Sequence, residues 1–264
     1  MSGGRRFSDQ LSSIWEHSRN IHVSTFMAYT LSQNKNRLLA ALPQEDQTSI
    51  MDQVTIIDLE KGRLICDPGD QINAIYFPIN CVVSVMTLME GGEAIESVTI
   101  GREGGYGLLA SAAPREALSR AIIQAPGKAY RISTPALHEV WVRSLAFRSL
   151  VDRHSDCLFA HAAQSVACNA LHSVEARFCR WILSCRDRVD SDTVSLTQEF
   201  LADMLGVQRT TVTAVARVLQ ANDLIRYRRG VVDILDRAGL ESRACECYGA
   251  VRRIYERLIP APRH

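Results

Sequence analysis

The sequence predicts an α+β chain: antiparallel strands first, then one long helix, then a helix-turn-helix followed by a strand pair. Three observations predict it. Short β-branched runs punctuated by Gly and Pro fill residues 54–133, no Pro or Gly interrupts Leu145 to His172, and Leu205-Gly206-Val207 divides two amphipathic segments.

The 264 residues suit two domains, and a 47% hydrophobic content gives each a core to bury. Charged residues at 22% exclude a disordered chain. Apolar runs break well before the ~18 residues of a membrane span, and the basic N-terminus lacks an apolar signal core. The expectation is a cytoplasmic protein without a membrane partner. Net charge is +1, unevenly spread: from Arg177 to His264 there are 15 basic against 11 acidic residues, all the basic ones Arg.

Residues 1–36 read as a leader, partly helical or flexible. Residues 37–143 read as an antiparallel β-roll of jelly-roll type. Within them NRLLAALPQEDQTSIMDQ gives two short helices split by Pro43. Strands follow, separated by Glu60-Lys61-Gly62, Asp67-Pro68-Gly69-Asp70 and Glu90-Gly91-Gly92-Glu93, and strand texture resumes over Arg120–Ile132. Thr134 and Pro135 open a short helix, with Thr134 as its cap.

Residues 144–172 form the long helix. Leu150, Leu158, His161, Ser165, Cys168 and His172 recur on one side, which is taken as a dimer interface, because so apolar a helix needs a partner. His154, Cys157 and His161 at i, i+3, i+7 have metal-ligand spacing, but a helix seam accounts for them better and no metal or other cofactor is expected. The eight cysteines form no C-x-x-C pair and are read as reduced, small hydrophobes in preference to a redox switch at Cys157, Cys168 and Cys179, which are spaced by eleven. Cys245 and Cys247 cannot share one face of a helix and are read as filler.

Residues 173–264 form the last domain. Ser173 caps VEARFCRWILSCRDRV, which Asp190-Ser191-Asp192 ends. Thr197 caps the helix Gln198–Leu205, and Gly206 supplies the positive-φ turn. Gln208 starts a second helix reaching Gln220. Its exposed start carries Gln208, Arg209, Thr210 and Thr211, then Thr213 and Arg217, a set of short polar groups and arginine forks able to read base edges. Leu224 to Leu235 reads as two strands and a tight turn. Arg226, Arg228 and Arg229 there form a basic wing for phosphates, with Thr197 and Gln198 beside it. A plain three-helix bundle explains the helices and turn but not this wing, so double-stranded DNA is the expected partner.

In this order the elements resemble the Crp/Fnr family of bacterial transcription regulators. The resemblance rests on Leu64-Ile65-Cys66-Asp67-Pro68-Gly69-Asp70, Ile75-Tyr76-Phe77-Pro78, Gly101-Arg102-Glu103-Gly104-Gly105 and Leu205-Gly206-Val207-Gln208-Arg209-Thr210-Thr211-Val212. It implies a homodimer on palindromic operators, contact with RNA polymerase, and a sensor pocket in the β-roll. The family's arginine at the head of the recognition helix matches Arg209. Its glutamate falls at Thr210 and a second arginine at Ala214, which implies a different half-site. The family's ribose-binding glutamate falls at Tyr106 and its phosphate-binding Arg-Ser pair at Ala117-Leu118. Its base-contacting pair falls at Ala162-Ala163. Arg102, Tyr106, Arg115, Ser119 and Arg120 are the candidate pocket residues for an effector other than cyclic AMP, the alternative being a β-roll that only scaffolds the dimer and binds no ligand. The oxygen-sensing branch's N-terminal cysteines are missing, since none precedes Cys66. No phosphate loop, nucleophile elbow or zinc signature points to an enzyme. The rival reading is a ligand-sensing module whose output is not DNA binding.

Overall fold

Glycine-marked turns and alternating apolar residues build the N-terminal half of the computed structural model, which describes residues 35–189 and 191–259. The expectation for the leader falls, apart from its last two residues, outside this range. Asn36 already belongs to the fold: its Oδ1 accepts from the Leu39 N–H, and its Nδ2 donates to the carbonyls of Pro78 and Gly104 at 2.9 Å each. It caps α1 (Arg37–Ala40), and Pro43 precedes α2 (Gln44–Met51).

Seven strands follow: β1 (Thr55–Leu59), β2 (Leu64–Cys66), β3 (Ala74–Pro78), β4 (Val82–Leu88), β5 (Ala94–Ile100), β6 (Arg120–Ala125) and β7 (Gly127–Ser133). They pair antiparallel in two sheets, ordered β1-β7-β3 and β2-β6-β4-β5. Gly62, Gly69 and Gly92 take positive φ in the three turns that the sequence marks.

Helix α3 (Thr134–Arg143) is capped by Ser133, whose hydroxyl accepts from Ala136 N–H, and not by Thr134 as the sequence suggested. The Thr134 hydroxyl instead donates to the Ile72 carbonyl at 2.9 Å, which moves the cap back one residue. Helix α4 runs Leu145–Leu171, capped by Ser144. Ser173 opens α5 (Val174–Val189) by accepting from Ala176 N–H.

The C-terminal part holds β8 (Thr193–Ser195), α6 (Gln198–Leu205), α7 (Arg209–Ala221), β9 (Ile225–Arg228), β10 (Val231–Ile234), α8 (Arg237–Arg243) and α9 (Cys247–Leu258). Its core joins Phe178, Trp181 and Ile182 of α5 to Leu201, Leu205, Val212 and Leu219. The same cluster takes in Met86 of β4, so this part packs directly on the roll. Among the described residues no helix is long and apolar enough to cross a membrane.

Candidate nucleic-acid interface and sensor pocket

The helix-turn-helix is built by local chemistry. Thr197 Oγ1 accepts from Phe200 N–H and starts α6. Gly206 closes it at φ 61°, and its N–H and that of Val207 satisfy the Asp203 and Ala202 carbonyls. Val212, Ala216 and Leu219 are buried, which turns the other side of α7 outward. On that side Gln208, Arg209, Thr210, Ala214 and Arg217 are exposed, while Thr211 and Thr213 are half-buried. Thr213 Oγ1 donates to Gln198 Oε1 at 2.8 Å, which ties α7 to the start of α6. Arg209 Nη1 lies 2.9 Å from Glu199 Oε1, both side chains more than half exposed.

The wing is a three-stranded sheet, β8-β10-β9, one strand more than the sequence reading gave. The missed strand is Thr193–Ser195, and its only signal is two β-branched residues after a helix break. Arg229 (φ 48°) and Gly230 (φ 76°) form the two-residue hairpin turn, the left-handed pair that a tight hairpin requires. Tyr227 anchors the wing: its hydroxyl donates to the Leu196 carbonyl at 2.8 Å, and its N–H donates to Gln220 Oε1 at 2.9 Å. Arg226, Arg228 and Arg229 are exposed. Thr197, Gln198, Arg209, Thr213, Arg217 and Arg229 line a single groove between α6, α7 and the wing. Residues that the sequence analysis nominated separately therefore share one surface.

Residues 176–243 match the family model of the Crp-like helix-turn-helix domain. That stretch is a Crp-like helix-turn-helix domain. The architecture beyond it is shared with solved Crp/Fnr structures. FixK2 from Bradyrhizobium japonicum is 14% identical with a TM-score of 0.60, matching 73% of this chain and 98% of that one. A CRP/FNR-family transcriptional regulator from Thermus thermophilus is 20% identical, with a TM-score of 0.55 over 72% of this chain and 98% of its own. The c-di-GMP responsive global regulator CLP of Xanthomonas campestris is 14% identical, with a TM-score of 0.58 over 74% and 100%. No curated protein matches the sequence.

A cavity of about 320 Å³ lies between the roll and the long helix. Tyr106, Arg115 and Ser119 line it together with Val85, Val98 and Leu158. Two nominated residues do not. Arg102 turns away, its guanidinium donating to the Asp187 carbonyl at 2.6 Å. Arg120 is held by Asp67 through bonds of 2.6 and 2.8 Å, which also hold the Asp67 carboxyl below its ordinary range. Ala117 is buried and Leu118 is 93% exposed. His154 reaches the cavity from α4, where burial pushes its pKa down to about 4. The neutral ring accepts from Gly105 N–H at 3.4 Å. Side chains at Gly104 and Gly105 would strike His154 and Phe77, which explains the glycine pair in that motif.

The dimer face needs correction. Leu150, His161 and Cys168 are buried within the chain itself. Leu150 packs in the core with Phe147 and Leu137, His161 meets Tyr255 of α9 edge-on at 6.4 Å, and Cys168 meets Cys245. His172 pairs with Glu246 at 3.1 Å, and Leu158 lines the cavity. Helix α9 covers the side that periodicity assigned to a partner. The outward side of α4 is Phe159, Ala163, Val166 and Ala170, with Phe159 78% and Val166 72% exposed.

Proposed function

We propose that this chain is a sequence-specific transcription regulator that binds double-stranded DNA as a homodimer. The observation that carries the reading is the single groove where the exposed start of α7 meets the arginine-bearing wing. Arg209, Thr210 and Arg217 are placed to meet base edges, and Arg226, Arg228 and Arg229 to meet phosphates. Leaving Glu199 costs Arg209 little, because an exposed ion pair is worth about 0–1 kcal/mol.

The second copy docks along α4. Phe159, Ala163, Val166 and Ala170 recur at alternating spacings of four and three, the seam of a two-stranded coiled coil. Two recognition helices related by that axis read a palindrome with half-sites about one DNA turn apart. Contact with RNA polymerase belongs to this reading, as does a cytoplasmic location. The cavity at Tyr106 takes a small, mostly apolar effector, with Arg115 and Ser119 as its polar contacts.

The test is a fluorescence anisotropy titration of genomic operator fragments at several salt concentrations. Binding should be selective, and its logarithm should fall linearly with the logarithm of salt. Absent or salt-independent binding overturns the reading in favour of a sensor module with another output.

A further inference from the structure

The C-terminal end of the long helix meets the α8–α9 junction in a cluster of three thiols and an imidazole. Cys168 lies in the last turn of α4 and His172 caps it, four residues on, so both face the same way. Cys245 precedes α9 and Cys247 begins it, so the two are not successive positions on one helix. That removes the geometric objection that made them filler in the sequence. Cys168 Sγ and Cys245 Sγ are 3.5 Å apart, and Cys247 Sγ and His172 Nδ1 are also 3.5 Å apart. All four donor atoms lie within 4.8 Å of one another.

These separations have a specific chemical meaning. A tetrahedral zinc ion, with bonds of ~2.3 Å to sulfur and ~2.1 Å to nitrogen, spaces its ligand atoms about 3.5 to 3.8 Å apart. Three cysteines and one histidine form a known structural zinc donor set. The surroundings fit as well. The ring nitrogen of His172 that faces away from the thiols, Nε2, lies 3.1 Å from Glu246 Oε2, the carboxylate partner that orients a metal-bound imidazole. Gln164 Nε2 lies 3.0 Å from Cys247 Sγ and donates to it, which supports a thiolate. All three cysteines are buried, as a closed structural site requires.

We propose that Cys168, His172, Cys245 and Cys247 bind a zinc-class divalent cation that fastens the end of the long helix to the start of the last helix. Binding converts thiols to thiolates and releases their protons to solvent, leaving a site with one net negative charge. Arg180 stands close enough to act on Cys168 electrostatically and offsets part of that charge. The ligands bracket residues 173–244, so the ion closes the two ends of the DNA-binding part onto one point. No operator contact is involved, and the site stands whether or not the chain regulates transcription.

The test uses the full chain purified under reducing conditions. Elemental analysis should find about one zinc per chain. Cobalt added to the stripped protein should give thiolate-to-metal charge transfer and the intense visible bands of a tetrahedral ion. Cys247→Ser and His172→Ala should each lose the tightly held metal, while Cys179→Ser, at a buried thiol outside the cluster, should keep it. Should the variants not fold, alkylation of the wild-type chain decides: added zinc should protect Cys168, Cys245 and Cys247 but leave Cys66 and Cys81 unaffected. Background metal with no cobalt bands overturns the proposal, as do bands that survive both substitutions. A Cys168–Cys245 disulfide in the non-reduced peptide map also overturns it, since one sulfur pair cannot serve both ends.

Discussion

Glu103 Oε1 accepts from Arg188 Nε at 2.7 Å, and both side chains are about nine-tenths buried. Glu103 belongs to the loop after β5 and Arg188 to the last turn of α5, so the pair joins the β-roll to the DNA-binding part. Arg188 also donates to Thr99 Oγ1 at 2.8 Å, and the neighbouring Arg102 donates to the Asp187 carbonyl. A side chain at Gly101 would strike Arg188. The motif Gly101-Arg102-Glu103 is therefore a clamp on the end of α5.

Breaking that clamp should be costly. Burial alone would raise the Glu103 pKa, but Arg188 overrides it and holds the carboxyl below its ordinary value. Removing one partner strands the other charge, which typically costs about 3–5 kcal/mol. Arg188→Ala is expected to lower the urea midpoint accordingly, and Glu103→Gln to do so less. The sign with pH follows: a lowered carboxylate pKa stabilises above the ordinary glutamate range and is lost as pH falls through the folded value. A wild-type midpoint in Arg188→Ala would show that the clamp does not couple the two parts.

Glu96 should act in the opposite direction. Burial pushes its pKa up to about 7, although Ser84, Gln124 and Trp181 donate to it and Arg180 and Arg188 stand near. The unfolded chain ionises from about 4.5, while the folded one keeps its proton until about 7. Stability from this group is full below the lower value, falls across the window and is level above it, a loss on the order of 3 kcal/mol. Urea midpoints measured across that window should decline in the wild type more steeply than in Glu96→Gln. Parallel profiles would remove Glu96 as the source.

The division of labour on DNA is tested by two arginines. Arg209→Ala is expected to relax base preference at one position, at ~1–3 kcal/mol, and to leave other positions unchanged. Arg228→Ala should weaken binding to all sequences alike and reduce the magnitude of the salt slope by about one phosphate contact. Altered sequence preference in Arg228→Ala would mean that the wing reads bases.

Much of this was legible in the sequence, because the signals were local. Thr197, Gly206 and the Arg229-Gly230 turn act on neighbours two or three residues away, and each lies where composition placed it. What failed was long-range. Periodicity shows that α4 has an apolar side but not which element covers it. Tyr255 of helix α9 takes His161, and Cys245, just ahead of that helix and 77 residues after Cys168, takes Cys168, which leaves Phe159 and Val166 as exposed apolar residues of α4. The same distance hid the convergence of Cys168 with Cys245. Arg102 and Arg120 failed as pocket residues for a related reason: each has a partner, Asp187 or Asp67, that pocket alignment alone does not reveal.

The dimer seam proposed along α4 makes its own prediction. Val166→Glu and Phe159→Asp place charges on a face with no role in the core of the chain, so each should fold yet sediment as a monomer. Operator affinity should drop, since one recognition helix alone loses half the palindrome. His161→Ala, by contrast, should lower stability without altering the oligomeric state. Dimers that persist in both seam variants would place the interface elsewhere.

Cyclic AMP should neither bind nor control the chain. The cavity presents Tyr106, buried beside Cys66, where a ribose hydroxyl needs an anionic acceptor. At the phosphate position Ala117 is buried and Leu118 points to solvent. Of the nearby cations, Arg120 is committed to Asp67 and does not line the cavity, while Arg115 donates from Nε to the Leu109 carbonyl at 3.2 Å. Ala162 and Ala163 on α4 carry no group to meet a base edge. Each buried polar group left unpaired costs ~1–3 kcal/mol, and an uncompensated phosphate charge costs more. Those losses exceed the 1–3 kcal/mol by which an effector typically couples to a second site. Isothermal titration with cyclic AMP should therefore give no saturable heat, and operator affinity should be the same with and without it. A stoichiometric micromolar heat with a matching rise in operator affinity would show that Arg115 releases Leu109 to take the phosphate, and Arg115→Ala should then abolish both.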